Sequence, residues 1–316
     1  MRQTKVILIT GASGMIGSAL IEYLGAQGHR VIALRRIAAK QPRPERGPYW
    51  CPDAGECRLP EGDSKAAADH GGIDVVIHLA GENAGDGRWS AAKKQRILQS
   101  RIDGARVLTE AILALERKPE LVMMASAIGY YGDTGDRIAD ESSPPGSGFL
   151  SAICQRVEPI ARPLDDAGVR MVQMRFGVVL SPAGGALARM MPPFKLGLGG
   201  RIGDGRQWFS WLTLPELAAM VAFVIAEPGL KGPINFVSPG AVSNADFTQA
   251  LAHALKRPAL LPLPAPIVKL AFGEMGEQML LGSLRVQARK LAEAGYRFRH
   301  DQLAAALAEV LGRSSR

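Results

Sequence analysis

A glycine-rich loop near the start of the chain constrains the fold more than any other feature of the sequence. It lies between an apolar run at residues 5–10, typical of a buried strand, and a segment of helical apolar periodicity at residues 15–27. Glycines let a backbone turn sharply and approach a pyrophosphate, and the first N–H groups of a helix attract anions. The order strand, loop, helix therefore predicts a dinucleotide-binding unit. The loop residues expected to contact the dinucleotide are Gly11, Ser13, Gly14, Met15, Ile16 and Gly17.

The rest of the first half continues this alternation of short strands and longer helices. Further strands are predicted at residues 30–34, 75–79, 121–126 and 169–176, and crossover helices at residues 89–116 and 150–168. The stretch 36–60 is rich in Pro, Gly and charge, and predicts an irregular excursion with one strand near Tyr49. We expect an α/β fold with a Rossmann-type, doubly wound parallel sheet.

The second half of the chain has a different character. Residues 181–211 are rich in Gly and Pro and predict long loops, residues 215–226 a helix, and residues 233–237 a strand returning to the sheet. Residues 245–311 are mostly helical in pattern, with proline breaks at 258–266. We predict a dinucleotide-binding domain at residues 1–180, to which 213–237 returns. Residues 181–212 and 238–316 would form a smaller, mainly helical C-terminal lobe that binds the substrate.

Two arginines follow the second predicted strand and bear on the choice of cofactor. An NAD-binding fold usually has an acidic residue there to bind the ribose 2′-hydroxyl, whereas this chain has Arg35 and Arg36. A carboxylate would repel a 2′-phosphate, and guanidinium groups bind it through paired, charge-assisted hydrogen bonds. The sequence therefore predicts NADP(H). The small residues after the strand at 75–79 should lie along the same cofactor, at Leu79, Ala80, Gly81 and Glu82.

Composition excludes several other kinds of protein. The formal net charge is +8, but the basic residues are dispersed, which disfavours a nucleic-acid partner and suits a phosphorylated cofactor and an anionic substrate. The three cysteines suggest no disulfide framework, and scattered histidines predict no metal site. The first apolar run ends at Ile9, too early for an export signal or a membrane span. We therefore expect a cytoplasmic protein without a membrane partner.

The helix predicted at residues 89–116 places two cations beside its apolar stripe. The stripe comprises Leu98, Ile102, Ala105, Leu108, Ile112 and Leu115. Lys94 and Arg101 lie one turn from Leu98 on either side, and a buried charge needs an anionic partner. We expect Arg101 to contact the cofactor or the substrate. Lys94 either contacts the substrate or projects into water.

The loop at residues 192–211 combines basic side chains with glycines and tryptophans. Arginines bind phosphate, and tryptophan faces stack on a base or a sugar, so the loop is predicted to bind the substrate. The alternative is an exposed loop that Trp208 and Trp211 anchor to the protein. The candidate substrate-binding residues of this loop are Lys195, Arg201, Arg206 and Trp208.

Several longer motifs resemble one known family. They are TGASGMIG at residue 10, HLAGENAGDGRW at residue 78, SRI at residue 100, SAIGYYGD at residue 126 and PPFKLGLGGRIGDGRQWFSW at residue 192. Together they resemble the atypical extended short-chain dehydrogenase/reductases that are called sugar-nucleotide epimerase-like, over nearly the whole chain. The resemblance implies an extended Rossmann fold, NADP(H), and a substrate cleft between two lobes. By analogy alone it also implies a homodimer.

The sequence departs from this family pattern at the catalytic positions. Relatives in the wider superfamily use a serine and a YxxxK pair, in which the lysine lowers the pKa of the tyrosine so that it can move a proton. Ser126 matches the serine, but Phe149 and Ile153 occupy the tyrosine and lysine positions. Tyr131, which matches the tyrosine of the YG motif, and its neighbour Tyr130 are the candidate replacements, although a packing role is equally open.

Three hypotheses follow for the function. The first is an NADP(H)-dependent oxidoreductase or epimerase acting on a small polar substrate, such as a nucleotide-linked sugar. The second is a non-catalytic NADP(H)-binding protein that senses redox state or supports an assembly, which the loss of tyrosine and lysine favours. The third and weakest is RNA binding through the basic surface.

Two further positions depart from the family pattern. Residues Thr213-Leu214-Pro215-Glu216 lack the histidine of the family motif, and Val157 replaces a tryptophan, so the substrate is expected to differ from that of the relatives.

Overall fold

A six-stranded sheet forms the centre of the protein. The computed structural model describes residues 4–45, 47–60 and 72–312. The sheet strands are β1 (Val6–Thr10), β2 (Arg30–Leu34), β3 (Val75–His78), β4 (Leu121–Ala127), β5 (Arg170–Phe176) and β6 (Gly232–Phe236). All pairings are parallel, in the order β6-β5-β4-β3-β1-β2. The connection reverses direction between β1 and β3, which opens a crevice at their carboxyl ends.

Helices cover both faces of this sheet because its central strands are apolar on both sides. The helices are α1 (Met15–Ala26), α2 (Ala91–Leu113), α3 (Phe149–Val157), α4 (Arg162–Asp166), α5 (Gly185–Lys195), α6 (Leu214–Ala226), α7 (Asn244–Leu255) and α8 (Ala265–Phe272). On one face, α1 and α6 pack on alternate residues of the strands, and α2 and α4 pack on the other face. The doubly wound, Rossmann-type α/β fold is confirmed.

Shorter elements connect the helices and strands. The remaining strands are Tyr49–Cys51, Glu56–Arg58, Ile138–Ala139, Val178–Leu180, Trp208–Phe209, Trp211–Thr213, Val242–Ser243 and Arg285–Val286. Short helical turns lie at Pro52–Ala54, Ile128–Tyr131, Glu158–Ala161, Glu274–Gly276 and Arg289–Glu293, a π-helical turn at Glu277–Leu281, and a last helix at Leu303–Val310. The excursion at 36–60 thus holds a two-stranded hairpin rather than the single strand expected near Tyr49.

The C-terminal lobe has its own apolar core, in which α5, α7 and the helix Leu303–Val310 pack together. The prediction of long loops over residues 181–211 is wrong where α5 lies. Prolines 192 and 193 lie in its last turn, where each removes one N–H donor, yet Leu187 and Phe194 on the same helix are buried. Burial of these side chains outweighs the loss of two hydrogen bonds. The division into two domains stays a prediction, although β6 does join the central sheet.

The predicted crossover helix at residues 150–168 is broken. It consists of α3, the 3-10 turn Glu158–Ala161 and α4. Proline lacks an N–H donor and clashes with the preceding turn, and each of the two later segments has proline near its start, at Pro159 and Pro163. On α2 the predicted stripe is buried at Ala105, Leu108 and Ile112, whereas Leu98, Ile102 and Leu115 are only half-buried.

Within the described ranges, no helix is both long and apolar enough to cross a bilayer. The same ranges contain no cluster of three His, Cys, Asp or Glu side chains able to hold a metal ion.

Candidate cofactor site and active centre

The glycine-rich loop closes against the end of β3. Gly11 has φ +71°, and a Cβ atom there would lie 2.9 Å from the backbone nitrogen of Ala80. A Cβ atom on Gly17 would overlap the carbonyl oxygen of Gly11. Both positions therefore require glycine, one for its backbone conformation and both for space. The loop residues predicted to bind the cofactor come together at the carboxyl ends of β1 and β3.

The first N–H groups of α1 have no side-chain partner among the described residues. The cap residue of this helix is Gly14, and its first turn contains no acidic residue. Ser13 and Gly14 are exposed. Free N–H donors and the positive end of the helix dipole thus face the crevice, which is the environment that a pyrophosphate requires.

The two arginines after β2 have different surroundings. Arg36 donates to both carboxylate oxygens of Asp53, at 3.1 Å each, and pairs with Trp50 through a β-bridge. Arg35 is exposed, and its guanidinium forms no hydrogen bond or ion pair with the described residues. Arg35 therefore has a guanidinium available for a phosphate, and Arg36 would have to share one with Asp53.

A buried histidine supports the floor of the crevice. His78 Nδ1 lies 2.7 Å from Thr10 Oγ1, which in turn accepts hydrogen bonds from the backbone nitrogens of Leu79 and Ala80. Burial lowers the pKa of His78 to about 4, with a smaller contribution from Arg101. The imidazole is therefore neutral at physiological pH and holds β1 and β3 in register at the cofactor loop.

The SRI motif binds the backbone of residues 79–82, the second predicted cofactor loop, which follows β3. Ser100 Oγ accepts a hydrogen bond from the backbone nitrogen of Glu82, and Arg101 donates to the carbonyl oxygens of Glu82 and Ile97 at 2.9 and 3.0 Å. The Arg101 side chain also packs beneath Gly81, and burial lowers its pKa. Arg101 thus lies at the loop, and its bonds go to backbone carbonyls rather than towards the crevice, so its contact with the cofactor or the substrate stays a prediction.

The catalytic serine candidate belongs to a buried network of charged groups. Ser126, at the end of β4, donates to Glu158 Oε1 at 2.6 Å. Arg175 on β5 binds both oxygens of the same carboxylate, at 2.9 and 2.8 Å. Arg175 is only 3% exposed. Burial opposes its charge, but the hydrogen bonds and charge of Glu158 outweigh burial and raise the pKa of Arg175.

Tyr131 lies behind this network, whereas Tyr130 is half-buried and lines a 680 Å³ cavity together with Glu158 and Arg175. Tyr131 is fully buried, donates to Asn235 Oδ1 at 2.7 Å and accepts from Arg175 at 3.0 Å. Burial raises the pKa of Tyr131 to about 12, although Arg175 and Asn235 act in the other direction. The Tyr130 ring stacks on the guanidinium of Arg175, 3.4 Å from ring centre to Cζ. Full burial and two hydrogen bonds favour the packing role for Tyr131 that the sequence left open, and its role as a proton donor to substrate stays a prediction.

Apolar side chains occupy the place of the missing tyrosine and lysine. Ile153 is buried in a cluster with Trp89, Ile97 and Met275, and Phe149 packs against the Trp89 ring at 5.0 Å between centres. The neighbouring Cys154 contacts the carbonyl of Ala127, and burial raises its pKa. This thiol is therefore not a ready nucleophile. The cluster joins α2 and α3 to the C-terminal lobe.

Lys94 is paired across the two lobes. Its Nζ donates to Glu274 Oε2 at 2.7 Å and lies 4.8 Å from the centre of the Phe149 ring. Gln278 binds Glu274 and also accepts from the backbone nitrogen of Leu150, which starts α3. The predicted alternatives for Lys94 were substrate and water, and the structure shows a third arrangement, an interlobe ion pair at the mouth of a 420 Å³ cleft.

The other predicted substrate residues are spread along the C-terminal lobe. Trp208 donates to Asp136 at 2.8 Å, and the Arg285 guanidinium stacks on its indole. Lys195, Arg201 and Arg206 are exposed. None of them forms a hydrogen bond or ion pair with Ser126 or Glu158. Their role in substrate binding stays a prediction.

Sequence reasoning missed Glu158, Arg175 and Glu274. Each is a charged residue next to an element that was correctly located, but its partner lies at least 17 residues away in the chain. One signal was available: Arg175 is a charged residue near the end of the strand Arg170–Phe176, and a charge in a strand with a neighbour on each side requires a buried partner.

Two family models match the chain. One, described as the NAD dependent epimerase/dehydratase family, matches residues 7–236, well over half of the chain, and one for a domain of unknown function (DUF1731) matches residues 263–310. The chain belongs to the NAD-dependent epimerase/dehydratase family. The family resemblance expected from the sequence motifs is therefore confirmed.

Similar proteins span the full length of the chain. An epimerase family protein of Mycobacterium bovis is 42% identical over 302 residues, 96% of each chain. The crystal structure of human epimerase family protein SDR39U1 (isoform 2) with NADPH has 32% identity and a TM-score of 0.85, over 97% of this chain and 99% of that one. The nucleoside-diphosphate sugar epimerase of Corynebacterium glutamicum has 34% identity and a TM-score of 0.74, over 98% of this chain and 59% of that one.

Proposed function

We propose that this chain binds NADP(H) and catalyses hydride transfer on a small polar substrate, as an oxidoreductase or an epimerase. The observation that carries the proposal is the exposed Arg35 guanidinium, which has no partner among the described residues, together with the uncapped start of α1 and a loop in which Gly11 and Gly17 leave no room for side chains. A dinucleotide with a 2′-phosphate complements each of these features. The NADPH in the SDR39U1 structure supports this choice, and the Corynebacterium glutamicum relative supports a nucleotide-linked sugar as the substrate class.

The nicotinamide, when bound, supplies or accepts the hydride, and the chain must handle the accompanying proton. Ser126 is the candidate, because its hydroxyl hydrogen already points to Glu158 and its oxygen lone pairs remain able to accept a proton. In the oxidising direction the substrate hydroxyl would give its proton to Ser126 Oγ, and Ser126 would give its own to Glu158. The C–H bond electrons leave the substrate as the hydride. Reduction reverses each transfer.

Arg175 positions this relay. Its bidentate contact fixes both carboxylate oxygens of Glu158, so that Oε1 faces Ser126. Ser126–Glu158 would thus take the place of the tyrosine–lysine pair, with Tyr131 serving the relay only through its hydrogen bond to Arg175.

The alternative is a non-catalytic NADP(H)-binding protein. It is favoured by the apolar cluster around Ile153 and Phe149 and by the internal pairing of Lys94 with Glu274. Both hypotheses require the same cofactor site, and they differ only in whether a substrate reacts.

Titration of the protein with NADPH and NADH, followed by fluorescence, tests the cofactor. We expect a clear preference for NADPH, and a loss of roughly 10- to 100-fold in NADPH affinity in Arg35→Ala, because a bidentate phosphate contact is removed. Arg36→Ala should lose less, since Arg36 is shared with Asp53. Affinity for NADH, which has no 2′-phosphate, should change little in either variant.

An equal preference for both nucleotides would contradict the NADP(H) assignment. Arg106→Ala, an exposed arginine on α2 far from this site in sequence, is the matched control and should bind like wild type. The loaded protein is then tested with nucleotide sugars and simple carbonyl compounds for a change in NADPH absorbance. Absence of any hydride transfer across such a panel would favour the non-catalytic alternative.

A further inference from the structure

Exposed large apolar side chains are concentrated on one part of the C-terminal lobe. Of the eight such residues in the described chain, six belong to residues 195–203 and 256–272, and Ile138 and Met279 are the exceptions. Single exposed apolar residues scattered over a surface are normal, whereas a concentration of them marks an interaction surface. Leu260 and Leu270 are each 78% exposed, and Leu196 is 74% exposed.

Two segments that are distant in sequence form this surface together. Leu198 pairs with Ala259 and Ile202 with Leu263 through β-bridges, and the backbone nitrogen of Leu261 donates to Gly199. The helix α8 follows directly and carries Ile267 and Leu270 on its exposed side, with Val268 turned into the protein. We call the surface of residues 195–203 and 256–272 the leucine face.

The leucine face is bordered by positive charge. Lys195, Arg201, Lys256 and Arg257 are exposed, and none of the four forms an ion pair with the described residues. Lys269 on α8 is paired with Glu277 at 3.1 Å. The two segments contain no Asp or Glu at all. Exposed leucines among unpaired cations complement a surface that is apolar inside and anionic at its boundary.

We infer that the leucine face docks the protein onto an anionic lipid membrane, in the plane of the headgroups. Leucine side chains would enter the boundary between headgroups and acyl chains, and the four unpaired cations would contact acidic lipid headgroups. Docking of this kind needs no membrane-spanning segment, so the shortness of the first apolar run does not argue against it. The inference does not depend on the proposed enzymatic function.

The charge pattern argues against the simplest other occupant, a second copy of the chain. A two-fold contact would bring the same patch of both copies together, so that Lys195, Lys256 and Arg257 of one copy would lie against the equally basic patch of the other. The absence of acidic residues from the face leaves those charges without partners in such a dimer. An anionic lipid surface provides counter-charges at every position around the leucines.

Docking would also bring a cleft of the protein near the lipid. The end of α8 continues into Glu274, the partner of Lys94. The 420 Å³ cleft lined by Lys94, Phe149 and Glu274 therefore begins where the leucine face ends.

Sedimentation of the full-length protein with vesicles tests the inference. The vesicles contain either phosphatidylcholine alone or phosphatidylcholine with about a third of phosphatidylglycerol. We expect binding at least tenfold stronger to the anionic vesicles, and a steep decrease as salt is added. Leu260→Glu/Leu270→Glu should abolish binding, and Lys256→Gln/Arg257→Gln should weaken it and reduce its dependence on salt.

Ile138→Glu is the matched control, because Ile138 is 44% exposed but lies outside the leucine face. It should bind vesicles like wild type. Circular dichroism and NADPH binding of each variant verify that the fold is retained. Failure of the wild-type protein to bind either kind of vesicle would overturn the inference. So would a wild-type dimer in sedimentation velocity that Leu260→Glu/Leu270→Glu converts into a monomer while vesicle binding stays unchanged.

Discussion

The cofactor loop and the serine network lie at the carboxyl edge of one sheet but satisfy their polar groups in opposite ways. At the cofactor loop, neither the first N–H groups of α1 nor the Arg35 guanidinium has a side-chain partner among the described residues. Around Ser126 the charged groups are paired within the protein, Glu158 with Arg175. Unsatisfied donors indicate a site that is completed by a ligand from outside, whereas a closed network indicates a site organised before the ligand arrives.

The largest effect should come from filling the cofactor loop. Gly17→Ala places a methyl group against the carbonyl oxygen of Gly11, so the loop must open and lose the geometry that receives a pyrophosphate. We expect NADPH affinity to fall by about 100-fold or more, since several phosphate contacts are lost together. Isothermal titration calorimetry measures the affinity, and thermal unfolding verifies the fold.

A second glycine on the same helix provides the control. Gly25 of α1 has no atom within 4 Å of where its Cβ would lie, so Gly25→Ala should bind NADPH normally. It should also raise the free energy of unfolding by up to about 1 kcal/mol, because alanine favours the helix. If Gly17→Ala retained full affinity, the loop would not be the pyrophosphate site.

The largest effect on stability, rather than on cofactor binding, is expected at the serine network. Glu158→Gln leaves the Arg175 guanidinium buried without a counter-charge, which typically lowers the free energy of unfolding by about 3 to 5 kcal/mol. NADPH affinity should change much less, because the network is distant from the phosphate loop along the sheet. Chemical denaturation of wild type and variant, together with NADPH titration, separates the two effects.

Glu293→Gln is the matched control for this variant, because Glu293 pairs with Arg289 on the surface, where both side chains are more than half exposed. Removing an exposed pair should cost no more than about 1 kcal/mol. Equal losses in the two variants would mean that Arg175 finds solvent or another partner, and that the network is not closed.

The same contrast explains how much the sequence could predict. The glycine loop, the strands and the extra charge at Arg35 are local features, because backbone conformation and neighbouring residues determine them. The fold class and the cofactor loop could therefore be predicted from the sequence. Arg175 and Glu158 lie on different elements and acquire their roles only when β5 and α3 pack together. Lys94 likewise required a partner 180 residues away.

Burial also decided features that local patterns left open or predicted wrongly. Tyr131 follows Ser126 closely, but the turn Ile128–Tyr131 directs its ring into the core, where Asn235 binds its hydroxyl. The helix α5 formed despite two prolines because Leu187 and Phe194 are buried in the C-terminal lobe. In each case tertiary burial, rather than a local pattern, decided the outcome.

The smallest effect concerns acid sensitivity and again separates the two regions. His78 supports the cofactor loop as a neutral group, with its pKa lowered by burial to about 4 from an ordinary value of 6.5. Between those values the unfolded chain binds a proton that the folded chain does not, so stability is unaffected at neutral pH and falls as the pH falls below about 6.5. From pH 7 to about pH 5 this difference should remove about 2 kcal/mol from the free energy of unfolding.

Urea denaturation of wild type and His78→Gln across this pH range measures that contribution. His78→Gln is less stable at pH 7, because it disturbs the contact with Thr10, but its stability should decline less steeply on acidification. His253→Gln, on the exposed side of α7, should keep the wild-type slope. If His78→Gln also kept that slope, the imidazole would be protonated without unfolding, and the floor beneath the cofactor loop would have to open to water. Ligand binding, rather than His78, would then hold β1 and β3 in place at the cofactor loop.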